Sequence, residues 1–228
     1  MDYTNTFLFG LYPYICMTTF FLGSLIRFDR EQFTWKAGSS QMLRSKQLKL
    51  GSNLMHIGIL LLFFGHFFGL LTPPIVYKTL GLTAPIKQMI AMIGGGIFGI
   101  MCFAGITLLV HRRLSEPRIR ATSNSSDIFI LILLHIQVTL GLLTIIPSMQ
   151  NLDGRDMLLL SQWAQAIVTF QPFAAVDAMN SGELSIIYKA HIVIGLTMFL
   201  VFPFTRLVHI WSAPIWYLGR RYQIVRQR

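Results

Sequence analysis

The chain is poor in cysteine, poor in charge and poorer still in acid. Its two cysteines, Cys16 and Cys102, lie inside apolar stretches. There is no C-x-x-C-H for covalent cofactor attachment and no cysteine cluster to offer thiolates to a metal. Both thiols are therefore expected to be small buried hydrophobes. Charged residues make up only 12% of the 228, with 9 acids against 19 lysines and arginines. The start, Met1, Asp2, Tyr3, Thr4 and Asn5, has no basic n-region, so the first apolar stretch does not read as a cleaved signal peptide. No internal repeat or low-complexity segment stands out.

What fills the chain is apolar: 54% hydrophobic residues, gathered into five runs at about 4–26, 52–72, 88–110, 126–147 and 186–210. Each exceeds the roughly 20 residues a helix needs to cross the hydrocarbon layer. A bilayer offers no partner to open backbone groups, so each run must be helical. The expectation is an all-α integral membrane protein, a bundle of five transmembrane helices, forming a single membrane domain over 1–228. The connections read as short, with no room for a separate soluble domain.

The scarce charges are unevenly placed. Fifteen of the 19 basic residues fall in 27–49, 112–120 and 206–228, leaving Lys78, Lys87, Arg155 and Lys189 for the other side. The positive-inside rule then puts the N-terminus outside and the C-terminus in the cytoplasm. The net charge of +10 is explained by this topology signal and does not call for nucleic acid. A face this basic suits anionic lipid headgroups or an acidic partner.

Ionisable groups within membrane helices are functional suspects. His56 and His66 lie on the second run, His191 and His209 on the fifth, which runs the opposite way. Their depths pair His66 with His191 towards the outside and His56 with His209 towards the cytoplasm. On a straight helix, His191 and His209 are five whole turns apart and share a face, about 27 Å along the axis; His56 and His66 are about 15 Å apart. Tilt and a kink at Pro203 would have to absorb that mismatch. Two facing imidazoles are the axial pair for a haem iron, whereas zinc asks for three or four ligands at one depth. The expectation is two non-covalent b-type haems, stacked about 20 Å apart across the membrane. Gly58, Gly65, Gly69 and Gly195 offer backbone for a flat macrocycle to lie against, or else serve ordinary helix packing.

The remaining candidates are plainer. His135 has no partner at its depth and reads as a packing residue. His111 sits at the basic border beside Arg112 and Arg113, two arginines that are also candidates to pair with propionates of the inner haem. Gly94, Gly95, Gly96 and Gly99 read as a helix-packing face. A small transporter with a histidine proton relay is the alternative from another class. It would favour broken half-helices or an inverted repeat, and neither is evident.

The stretches LYPY, QFTWKAGSSQML, SNLMHIGILLLFFGHFFGLLTP, KQMIAM, RIRAT, GLLTI, WAQAIVTF, HIVIGLTMFLVFPFTRLVHIWSAP and YQIVR cover the length of the chain. Together they resemble the gamma (cytochrome b, membrane-anchor) subunits of bacterial respiratory membrane-bound nitrate reductases. The resemblance implies that His66 and His191 ligate an outer haem, and His56 and His209 an inner one. It puts the family's quinol-site lysine at Lys87, whose cation can hydrogen-bond a quinone oxygen. It further implies residence in the bacterial cytoplasmic membrane and quinol oxidation on the outer side. Electrons would pass through the two haems to a cytoplasmic iron–sulfur subunit, and from there to a molybdenum subunit that reduces nitrate. An anchor of another quinone-linked reductase or dehydrogenase is the nearest alternative.

Overall fold

The structure is a computed structural model and describes residues 3–35, 43–212 and 219. Lys36, the tail arginines Arg220, Arg221, Arg226 and Arg228, and the terminal YQIVR lie outside the described residues.

Five helices are long and apolar enough to cross a membrane: α1 (Tyr3–Arg30), α2 (Ser45–Leu71), α3 (Ala84–Ser115), α4 (Ser125–Gln150) and a last one that begins at Ile186. The first, third and fourth outrun their apolar stretches at both ends and the second at its start, because polar residues at the interface continue the turn. The connection 148–185, one of those read from sequence as short, holds two helices, α5 (Arg155–Val168) and α6 (Pro172–Asn180). The last spanning helix, α7, runs as an α-helix only over Ile186–Val201.

The fifth apolar run is thus not one helix to residue 210. Pro203 lacks an N–H and cannot continue the ladder. The chain tightens into a 3₁₀ turn over Phe202–Phe204, becomes extended at Thr205 (φ −121°, ψ 178°), and re-coils as a second 3₁₀ segment, Arg206–Ser212. The freed carbonyls are not left bare. The Arg27 guanidinium donates to Pro203 O at 2.5 Å and to Thr205 O at 2.9 Å. Gly23, one turn earlier on α1, makes room: a Cβ there would meet Pro203 Cγ at 2.7 Å.

Packing follows small residues. α2 and α3 cross at nearly backbone distance, with Gly51 and Gly58 of α2 against Gly105 and Cys102 of α3. A Cβ on Gly58 would meet the Cys102 backbone at 2.8 Å. Both cysteines are fully buried and unbridged, as expected. The order of packing is α2 on α3, α3 on α4, α4 on α7 and α7 on α1. α2 and α7 make no such extended contact, so among the described residues the bundle is an arc with a slot between its second and last spans. One end of the arc is covered by α5, which packs on α2, and α6, which packs on α1. Trp163 Nε1 donates to Phe9 O at 3.0 Å, inside the π-helical turn Thr6–Leu11, and Gln165 Nε2 donates to Leu70 O at 2.9 Å at the end of α2.

Ile90, Ile93, Ile97 and Ile100 form a stripe on α3 that is 57–63% exposed. An apolar stripe of this length is out of place in water and at home against lipid tails.

Candidate functional site

The slot between α2 and the last span is where the histidines meet. His66 on α2 faces His191 on α7 with ring centroids 6.0 Å apart and planes at 36°. One layer away, His56 on α2 faces His209 on the Arg206–Ser212 segment at 6.4 Å and 71°. The two depths assigned from sequence are therefore two neighbouring pairs of rings. His209 does not lie five α-turns below His191 on one straight helix, as expected from the sequence, because the break at Pro203 puts it on a separate 3₁₀ segment.

The spacing of the rings suits a shared metal ion. Two imidazoles held end-on by one ion, each through a nitrogen at about 2 Å, have ring centres about 6 Å apart, since the nitrogen lies about 1 Å from the ring centre. Among the described residues no group of three or more histidines, cysteines, aspartates and glutamates could hold a metal ion. Two imidazoles are too few for tetrahedral zinc and sufficient as the axial pair of a porphyrin iron.

The second nitrogen of each ring bears on which first nitrogen is free. His56 Nδ1 is hydrogen-bonded to Ser52 O at 2.8 Å, His66 Nδ1 to Leu62 O at 2.7 Å, and His209 Nδ1 to Arg206 O at 2.6 Å. A carbonyl only accepts, so these three rings carry their proton on Nδ1 and leave Nε2 as the lone-pair nitrogen. His191 differs: its Nδ1 is buried with no partner, and its Nε2 lies 3.5 Å from the Gln137 amide nitrogen.

The glycines sort into two groups. A Cβ on Gly65 or Gly69, flanking His66, would meet nothing within 4 Å. These two face open space and are free to admit a flat ring. Gly58 and Gly195 are packing positions, Gly58 against Cys102 and Gly195 against Gln137. In α3, Gly96 and Gly99 pack on Ile145 and Leu142, whereas Gly94 and Gly95 are not in contact with another helix.

At the basic end, Arg112 and Arg113 point to protein groups. Arg112 is buried and donates to Leu43 O at 2.6 Å. Arg113 donates to Ser123 Oγ at 3.0 Å and pairs with Asp127 at 3.5 Å. Asp127 also lies 4.0 Å from Arg206, whose carbonyl holds His209. Sequence reasoning passed over Asp127 and Arg206, because an acid in the first turn of a helix and an arginine at a membrane border each have an ordinary reading. His111 sits at 3.3 Å from Gln47 Nε2. His135 lies against the Phe103 ring at 4.9 Å, outside both pairs.

At the other end, Lys87 is in the first turn of α3, capped by the Thr83 hydroxyl. Its Nζ is buried without a hydrogen-bond partner, 4.4 Å above the centre of the Tyr77 ring. The Tyr77 hydroxyl is also buried and unpartnered. The neighbouring Gln88 fixes this turn by donating to Ser148 O at 2.8 Å and Asn151 O at 2.7 Å. Gly154 closes over it with φ +81°, and a Cβ there would strike the Ala84 backbone at 2.6 Å.

Residues 5–228 match the model of a family described as nitrate reductase gamma subunit. The chain is 50% identical over 228 residues to respiratory nitrate reductase 1 gamma chain of Escherichia coli, covering all of both chains. It is 38% identical over 224 residues to a nitrate reductase gamma chain of Bacillus subtilis, covering 97% of each. It is 34% identical to a nitrate reductase-like protein of Mycobacterium tuberculosis over 95% of this chain and 33% of that one. With five spanning helices, it is a multi-pass protein of the bacterial cytoplasmic membrane and a subunit of an oxidoreductase complex that has catalytic and other subunits. The chain belongs to the nitrate reductase gamma subunit family.

Proposed function

We propose that this chain is the di-haem cytochrome b subunit of a respiratory nitrate reductase, which oxidises quinol on the outer side and passes the electrons inward. The observation that carries the proposal is the pair of ring separations, 6.0 Å for His66 and His191 and 6.4 Å for His56 and His209, across an open slot. His66 and His191 hold the outer haem, His56 and His209 the inner one. Bound there, the haems supply one-electron carriers joining the quinol side to the partner side.

Lys87 is the quinol-binding residue. Its ammonium, buried without a hydrogen-bond partner, is a donor waiting for an acceptor, and a quinol or quinone oxygen supplies one. Oxidation of one quinol releases two electrons and two protons, the protons leaving on the outer side. The charge asymmetry supports an N-terminus outside and a C-terminus in the cytoplasm. The basic cytoplasmic face then docks an iron–sulfur subunit, which feeds a molybdenum subunit that reduces nitrate. This chain anchors that assembly and does not itself contain the nitrate site.

The test is a reduced-minus-oxidised spectrum and a pyridine-haemochrome assay of the purified protein. Two b haems per chain are expected, and a protein without haem b discards the reading. His66→Ala and His191→Ala should remove one and the same haem, His56→Ala and His209→Ala the other. A crossed pattern would refute the pairing.

A further inference from the structure

Three of the four candidate ligands have Nδ1 anchored on a backbone carbonyl of their own segment. His191 has none. Among the described residues its Nδ1 is buried without a partner, and its ring is hydrogen-bonded only to the side-chain amide of Gln137, on α4. The amide oxygen of Gln137 is likewise buried without a partner. Two buried polar atoms thus lack partners in neighbouring side chains that already touch, and a buried polar group left unpaired is unfavourable.

The helices are shaped around this contact. On α4, Gly141 follows Gln137 by one turn; on α7, Gly195 follows His191 by one turn. A Cβ on Gly141 would meet the His191 ring (Cε1) at 3.0 Å, and a Cβ on Gly195 would meet the Gln137 amide nitrogen at 3.0 Å. Each helix therefore gives up a side chain where the other inserts its polar group, so that amide and imidazole lie in one two-sided niche.

We propose that Gln137 is the positioning residue for His191, supplying from a side chain the hydrogen bond that carbonyls supply to the other three rings. The inference rests on the haem reading above. When Nε2 of His191 is committed to iron, the ring proton sits on Nδ1. In the structure it is Nε2 that lies against the Gln137 amide. Iron ligation therefore requires the imidazole to turn over, carrying Nε2 into the slot and Nδ1 towards α4. There the amide oxygen of Gln137 accepts that proton's hydrogen bond. An acceptor at Nδ1 makes the imidazole a stronger donor to the metal and stabilises the oxidised iron. Gln137 thereby holds the reduction potential of the outer haem down, while the inner haem, with carbonyl anchors on both rings, is independent of it.

The experiment is a spectroscopic redox titration of the full chain in its membrane, comparing wild type with Gln137→Met and Gln137→Glu. The outer haem is assigned as the one missing in His66→Ala, and the inner haem serves as internal reference. Met keeps the volume and removes the acceptor; it should raise the outer potential relative to the inner, or release the outer haem alone. Glu keeps the shape with a stronger acceptor and should lower it. An outer potential unmoved relative to the inner in the Glu variant, or loss of both haems in the Met variant, overturns the proposal. A wild type without haem would instead sink the underlying functional reading, which keeps the two failures distinct.

Discussion

Lys87 shows how the chain treats function and stability differently at the level of single residues. A buried ammonium with no hydrogen-bond partner among the described residues is a burden on the fold, relieved only in part by the Tyr77 ring beneath it. Lys87→Met keeps the aliphatic stem and removes the charge. Thermal stability should be unchanged or slightly higher, and both haems should stay bound. Reduction of the haems by a quinol analogue should slow by about tenfold or more, the equivalent of one charge-assisted hydrogen bond. Unaltered quinol oxidation would dismiss the role. The four slot histidines were legible in the sequence because ionisable groups stand out against an apolar background; Lys87 was marked only by the family resemblance, since a lysine at the membrane border otherwise reads as a snorkelling residue. Gln137, Tyr77 and Asp127 were not. A single uncharged polar residue in a membrane helix carries no periodic signal, and its importance appears only once its neighbour across the helix interface is known.

Among the elements, the break after Val201 decides where His209 sits. A proline alone would give a kink of undefined direction; here the direction is set from both sides. Arg27 of α1 holds the carbonyls of Pro203 and Thr205, and Asp127 of α4 faces Arg206 at the start of the next segment. Asp127→Ala should leave Arg113 and Arg206 without their carboxylate, at a cost of about 2 kcal/mol. The Arg206–Ser212 segment should loosen, and the inner haem should be depleted while the outer is retained, as measured by the ratio of the two in a redox titration. Equal loss of both haems would count against this account. The five spans were readable from hydropathy, since long apolar runs have one outcome in lipid. The α5–α6 pair was not, because its apolar residues are interrupted by Gln162, Gln165 and Asp177 and never reach spanning length. The extended residue at Thr205 was hidden too: proline announces a break without stating how the chain resumes.

The whole molecule is an arc of five spans whose first contact and last contact do not close on each other. α2 packs tightly on α3 through Gly51 and Gly58, while farther along it Gly65 and Gly69 meet nothing and His56 and His66 reach across the slot. The Arg206–Ser212 segment contributes His209 to the slot and is anchored on the bundle by Leu207 and Val208, buried in the core, with Arg27 holding Thr205 before it and Asp127 facing Arg206. A group bridging both walls therefore contributes what helix packing leaves out, and its binding energy adds to the stability of the fold. Protein produced under haem limitation should still insert, because insertion depends on hydropathy. In detergent it should melt lower than the loaded protein, on the order of 10 °C if the groups are held at a thousand times their dissociation constants. The loss should also be local. Hydrogen exchange should rise first in α2 and in Arg206–Ser212, while α3 and α4, packed on neighbours along both sides, should stay protected. Uniform loosening of all five spans would mean that the slot is not the bridged element of this fold, and an unchanged melting temperature that nothing bridges it.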